Sequence, residues 1–310
     1  MTTTKTTTVD KAKPVSLEPT ARREFGESLF QKGLRRLRRD YLTMSAMAIL
    51  LVLGLLALFA PIITNNIMHV DPNFTNPSQN LLPIGTPGHL LGTDDLGRDQ
   101  LARLLHAGRV SLGIGFFGAM FTLIIGTTLG VMTGYYGGII DDIMSWVITT
   151  LDSIPSLFLL VIVSSVLTPS AESLVLVITL ISWTGTTRLM RGQTFKLRHL
   201  DYITSAKAMG ASPWRIMFIH IVPNLFSVTA ISLAGGIGGL ILAESALSFL
   251  GLGVQPPTAT WGNMLTKAQT FYVRGPHLVL MPGLLIFVTV LCLYIIGDGL
   301  RDAFDPRTND

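Results

Sequence analysis

Charge is scarce in this chain. Only 14% of its 310 residues are Asp, Glu, Lys or Arg, against about 25% in an ordinary soluble domain. A surface facing water needs more charge than that, so most of this surface faces lipid. Cysteine is almost missing: the single Cys292 excludes an intrachain disulfide and a cysteine metal cluster. Lying in an apolar run, it reads as a small packed side chain. The catalytic signatures are missing too. There is no GxxxxGK[ST], no HExxH and no GxSxG, and the six histidines, at 69, 89, 106, 199, 220 and 277, are scattered. The chain therefore neither hydrolyses ATP itself nor reads as an enzyme, and it carries no cofactor or metal of its own. A secretory signal is also lacking, since about 40 mostly polar residues precede the first apolar run. That run is expected to remain as an uncleaved anchor.

What the chain has instead is apolar length. Hydrophobic residues make up 49% and the mean hydropathy is +0.52. They gather into six segments: 41–63, 112–134, 143–167, 173–190, 225–243 and 278–297. At about 1.5 Å per residue, some 20 helical residues cross the hydrocarbon. The expected fold is an all-α membrane protein with about six transmembrane helices. The third segment is interrupted by Asp152 and Pro155, and the fourth is free of charge only over 173–187. The resulting organisation is a tail over 1–40, a first span over 41–63 and a loop over 64–111. A five-helix core over 112–300 contains a polar loop at 188–223, and a short tail follows over 301–310. Residues 1–20, rich in Thr, Lys and Pro, are expected to be disordered. From Arg22 to Asp40 the chain is basic, with Phe25, Leu29, Phe30, Leu34 and Leu37 near helical spacing. It reads either as an interfacial helix or as a solvated basic tail.

The net charge of +4 does not form a patch. Its basic residues flank the apolar segments, which argues against nucleic-acid binding and for topology signals. Lys32, Arg35, Arg36, Arg38 and Arg39 precede the first span; Arg188, Arg191, Lys196, Arg198, Lys207 and Arg215 lie between the fourth and fifth; Arg301 and Arg307 follow the last. These put both termini and the 188–223 loop in the cytoplasm. Two features resist that assignment. The 135–142 loop holds Asp141 and Asp142 without a base, and the first external loop holds Arg98, Arg103 and Arg109.

Within the spans, Gly118, Thr122, Gly126, Gly130 and Gly134 repeat every four residues. Ala230, Ala234, Gly235, Gly238 and Gly239 supply small residues on the fifth span. Both suit close helix approach, inside the chain or against a partner subunit lining a pathway. Asp152 lies about 14 Å along the third span from Ile143. An acid there is costly, and reads as a structural or water-facing group or as a pathway group. Glu244, at the outer end of the fifth span, reads as an outer gate group or as an acid reaching water.

The most informative stretch is 201–224, DYITSAKAMGASPWRIMFIHIVPN. Asp201 suits a helix N-cap, and Tyr202, Ile203, Ala206 and Met209 share an apolar face. Gly210 suits a left-handed stop. Ser212 and Pro213 form the start of a second helix. A short helix presented to the cytoplasm is a natural plug for a partner's groove.

This stretch resembles the coupling loop of binding-protein-dependent ABC importer permeases. The matching positions are Thr204, Ser205, Ala206, Gly210 and Val222-Pro223, with Thr and Ser standing where the family has Glu and Ala; Tyr202, Ala211 and Ser212 join them as the implied ATPase-coupling residues. LGTDDLGRDQLARLLHAGRVSL at 91–112 is similar to the segment before the second helix of peptide-type permeases. Asp94, Gly97, Arg98 and Asp99 are its marked positions. WTGTTRLMRGQ at 183–193, LSFLGLGVQPPTATWGNML at 247–265 and GDGLRDAFDPR at 297–307 resemble further family segments in the same order. The nearest pattern is that of the C-type subunits of dipeptide and oligopeptide permeases, a group that includes nickel importers. One departure is plain. Where the family has an arginine and an aspartate ahead of the helix-three proline, this chain has Trp146 and Thr149, and Asp152 comes one turn later.

The resemblance implies a type I importer permease that pairs with a homologous permease subunit in the inner membrane. Two ATP-binding subunits, holding ATP and Mg, would dock on the 201–223 loop, and an extracytoplasmic solute-binding protein would deliver a peptide or another small solute. The rival reading is a stand-alone secondary transporter or channel. It would need ion-coupling residues inside the helices and no dock.

Overall fold

The computed structural model describes residues 29–166 and 170–304. The expected disorder of 1–20, most of the basic stretch before Leu29, and Arg307 lie outside them. Among the described residues the chain is helical, with no strand and two isolated bridges. In chain order the helices are α1 (Leu29–Arg39), α2 (Tyr41–Leu58), α3 (Ala60–Ile62), α4 (Gln100–Tyr136), α5 (Gly138–Asp152) and α6 (Ser156–Val166). They continue as α7 (Ala171–Leu197), α8 (Asp201–Ala208), α9 (Pro213–Arg215), α10 (Phe226–Phe249), α11 (Ala268–Arg274) and α12 (Pro276–Phe304).

Among the described residues, five helical stretches are long and apolar enough to cross a membrane: Tyr41–Leu58, Gln100–Tyr136, Ala171–Leu197, Pro213–Phe249 and Pro276–Phe304. The remaining expected span, 143–167, is two helices. Pro155 has no N–H to give and its ring crowds the preceding turn, so α5 stops at Asp152 and α6 starts at Ser156. Each piece is shorter than a span. The second span begins earlier than its apolar residues do. Asp99 caps α4 by accepting from the Ala102 N–H at 2.8 Å, which draws Gln100 onward into the helix. The last twelve residues expected in the 64–111 loop are thus helical.

The molecule is inside-out relative to a soluble protein. Its large apolar side chains point outward, among them Leu51, Phe117, Trp146 and Phe287, while Thr43, Thr187, Thr289 and Glu244 are buried. In lipid the outward Leu and Phe need no cover, and polar groups turn inward to partners. Close packing is supplied by small residues. The α4 stripe runs along α7: a Cβ on Gly126 would sit 2.5 Å from Thr186 Cβ, on Gly130 2.6 Å from the Thr187 carbonyl oxygen, and on Gly134 2.7 Å from Thr194 Cβ. Higher up the same helix, Gly118 meets Leu240 of α10. This stripe is therefore consumed within the chain. The fifth-span set divides. Ala234 and Gly238 face α12, whereas a Cβ on Gly235 or Gly239 would meet nothing within 4 Å among the described residues.

α4, α7, α10 and α12 form the core, and α2 leans on α12 and α4. α1 packs against the end of α12, with Leu37 buried and Gly33 against the Phe304 ring. That favours an anchored helix over a free basic tail. Asp40 then caps α2, accepting from the Leu42 N–H at 3.0 Å. The Thr43 hydroxyl bonded to it holds its carboxyl below the usual range.

Candidate functional site

The 201–223 loop is built much as its residues suggest, with two differences. α8 starts one residue earlier than expected: Leu200 is the N-cap and Asp201 is its first helical residue, placing an acid in the first turn where the helix dipole favours it. The apolar face also splits. Ile203 and Ala206 are buried, whereas Tyr202 and Met209 turn outward, Met209 with 82% of its surface exposed. The inward pair packs on the segment Ile216–Ile221, with Ile203, Ile216, Met217 and Ile221 sharing one core with Met190 of α7 and Val131 of α4. Partial burial pushes the Tyr202 phenol up from its ordinary pKa.

Gly210 has φ +82, the left-handed conformation that a side chain rarely adopts, and nothing lies within 4 Å of where its Cβ would be. Its N–H and that of Ala211 return to the carbonyls of Lys207 and Ala206 at 3.0 Å, closing α8. Ser212 then accepts from the Arg215 N–H at 3.4 Å, with Pro213 in the first turn. The return helix is irregular over Ile216–Ile221 and Val222–Leu225 because Pro223 removes a donor there. Thr204 and Ser205 are exposed on α8. The loop is thus a short helix on a firm base, with Tyr202 and Met209 directed away from the bundle.

Asp152 is not alone. Its Oδ2 accepts from Arg188 Nη2 of α7 at 2.5 Å, and its Oδ1 accepts from the Thr184 hydroxyl at 2.9 Å. One turn on, Arg191 makes a bidentate pair with Asp141. This accounts for the acidic 135–142 stretch that resisted the charge-based topology. Glu244 departs from expectation. α10 continues five residues past it, and it is fully buried, so it does not reach water. Its Oε1 accepts from the Ser248 hydroxyl at 2.7 Å, and its Oε2 lies near Gly262 without a hydrogen-bond partner.

The two motifs at the opposite end of the bundle come together. Asp94 receives Arg98 Nε at 2.7 Å and lies 3.5 Å from Arg103 Nε. Two of the three arginines that opposed the topology are thus neutralised in place. Gly97, at φ +72, lies directly against the Asn76 backbone. Asp99 caps α4 and also bonds His89 Nδ1 at 2.8 Å. Lys267 reaches across to Asp95 at 2.8 Å. Between them the 251–266 segment folds back into the bundle. Trp261 is 2% exposed, its N–H donates to Ser111 Oγ at 3.0 Å and its indole to the Leu104 carbonyl at 3.1 Å, with Gly108 leaving room for its ring.

Sequence reasoning treated Arg188 and Arg191 only as topology charges and missed their partners. Their i, i+3 spacing on one helix face was the available signal. Trp261 stood inside a quoted motif with no role. A lone Trp among Gly, Pro and Thr gives no sign of which helices it will lie between.

Comparison with known proteins follows the same lines. Residues 126–310 match the family described as the binding-protein-dependent transport system inner membrane component. Residues 28–83 match the N-terminal TM domain of oligopeptide transport permease C. The dipeptide transport system permease protein DppC of Haemophilus influenzae is 39% identical over 83% of this chain and 88% of its own. DppC of Alkalihalophilus pseudofirmus is 38% identical over 90% of each chain. The glutathione transport system permease protein GsiD of Pectobacterium atrosepticum is 38% identical over 88% and 89%. Among solved structures, a chain of the inward-facing MetNI methionine ABC transporter shares the fold, with a TM-score of 0.52 at 17% identity over 66% of this chain and 96% of that one. With five membrane-length helices among its described residues and relatives that match over most of its length, the chain is a multi-pass inner-membrane protein and belongs to the family of inner membrane components of binding-protein-dependent transport systems.

Proposed function

We propose that this chain is one permease half of an ATP-driven importer of di- or oligopeptides, and that α8 is where the motor grips it. The observation that carries this is the shape of the 201–223 loop: a short helix seated on Ile203 and Ala206, stopped sharply at Gly210, and offering Tyr202 and Met209 to something outside the chain. The chain has no phosphate-binding loop, so ATP and Mg belong to two partner ATPases. A homologous permease completes the path, and a solute-binding protein delivers cargo on the face opposite α8, where Asp94, Gly97, Arg98 and Asp99 brace the surface. The peptide cargo rests on the names of the relatives.

In this reading both termini and α8 are cytoplasmic. Closure of the ATPases moves α8, and the bundle passes between two discrete packings. Thr204, Ser205, Ala211, Ser212 and Pro223 keep the helix and its return in register. Asp152 borders the path; Glu244 acts by bracing the 251–266 segment.

The test uses vesicles holding the complete transporter. Gly210→Leu fills the left-handed position with a side chain and disturbs the end of α8. Uptake per ATP hydrolysed is expected to fall at least tenfold while the subunits still co-purify. Uptake without nucleotide in wild-type vesicles, or an unchanged ratio in the variant, overturns the proposal.

A further inference from the structure

α5 is attached to the bundle differently from every long helix around it. It leaves α4 through Gly137 and Gly138, whose φ values are +67 and +55. Two successive left-handed residues make a sharp reversal that only glycine tolerates freely. At its far end it stops at the Asp152–Pro155 break. Along its 15 residues only Asp141 and Ile148 are buried, and its main contacts among the described residues are with α4 and α7. A helix so poor in apolar contact has little to fix its angle.

Two ion pairs fix it. Asp141 and Asp152 stand three turns apart on α5, roughly 16 Å. Arg191 and Arg188 stand less than one turn apart on α7, so the two arginines fan out to grip a long stretch of α5 from nearly one point. The grips are unequal. In the pair beside the hinge, the arginine and aspartate side chains are 29% and 12% exposed; in the pair at the break they are 56% and 35% exposed. α7 itself does not yield readily. The α4 glycines lock it along its length, and Arg198 donates to the Gly134 carbonyl at 2.9 Å. α7 leads within four residues into α8.

We propose that α5 is a hinged arm clasped to the α4–α7–α8 body by two arginines: Arg191–Asp141 is the pivot, and Arg188–Asp152 is the latch whose release frees the arm beside the path. Arg188 is thus a positioning residue. The proposal rests on the reading of α8 as the motor's grip only for what triggers release.

The experiment places spin labels on cysteines at Trp146, exposed on α5, and at Gly185, open on α7, in the complete transporter. Pulsed distance measurements are made without nucleotide and with ATP trapped by vanadate. The resting wild type is expected to show one short distance. Arg188→Gln is expected to lengthen it by about 5 Å, the scale of a one-turn shift, in the resting state. The reversed pair, Asp152→Arg with Arg188→Asp, restores the short distance. An unchanged distance in assembled Arg188→Gln overturns the clasp. Should Arg188→Gln fail to co-purify with its partners, the reversed pair decides: the short distance supports the clasp, and a long distance or failed assembly overturns it. If wild type does not lengthen with trapped nucleotide while Arg188→Gln does at rest, the latch stands and the motor reading falls.

Discussion

The α4–α7 seam and the α5 arm are neighbours in the chain and opposites in how they are held. The seam is steric: three glycines on α4 let the Thr186, Thr187 and Thr194 backbone and Cβ atoms come as near as backbone allows. The arm is electrostatic: two buried residues and two arginine–aspartate pairs hold a 15-residue helix. Close packing works over atomic distances and leaves no room for adjustment. Charge acts over longer distances and permits exchange of partners. One sequence thus builds a rigid lever and a movable part side by side.

Substitutions that sharpen this contrast rank by how much packing each removes. Trp261→Ala, in the rigid part at the far end, empties a buried site and frees the Leu104 carbonyl; a loss of about 3–5 kcal/mol is expected, read as a large drop in the melting temperature of the purified transporter. Gly130→Val drives a side chain into the Thr187 carbonyl and Met190, for about 1–3 kcal/mol or failure to assemble. Gly185→Val, on the open side of α7, is the control and should leave melting unchanged; an equal loss there would break the steric account of the seam. In the arm, Asp141→Asn leaves a partly buried guanidinium without its charge partner, with a cost on the order of 1–2 kcal/mol, below that of a fully buried pair. Asp152→Asn, at the exposed pair, should cost below about 1 kcal/mol in melting. If Asp152→Asn destabilised as much as Gly130→Val, the arm would be part of the rigid body after all.

Much of this was legible along the chain. Apolar length marked the spans, because crossing the hydrocarbon demands about 20 helical residues whatever the fold. Gly210, Ser212 and Pro213 announced a stop and a start, because those residues act on their own backbone. The small-residue stripe on α4 announced close approach but not its partner. The Asp141 and Arg103 charges looked wrong for their loops, because the count of bases by loop takes no account of a charge neutralised within the fold, Arg103 by Asp94 nine positions away and Asp141 by Arg191 fifty positions away. Glu244 read as an acid near water, because a residue near the end of an apolar run gives no warning that 251–266 will fold back over it.

The sequence by itself determined that this is a helical membrane protein, where five of its six expected spans lie, that it lacks a phosphate-binding loop, and where a short helix turns outward at 201–210. Those properties depend on local composition, length and backbone preference. Only the tertiary structure decided that Arg188 and Arg191 hold α5, that the α4 stripe is spent on α7, and that Trp261 pins the far end. Each of those joins residues tens to more than a hundred positions apart, and partners chosen at that separation are set by packing in three dimensions.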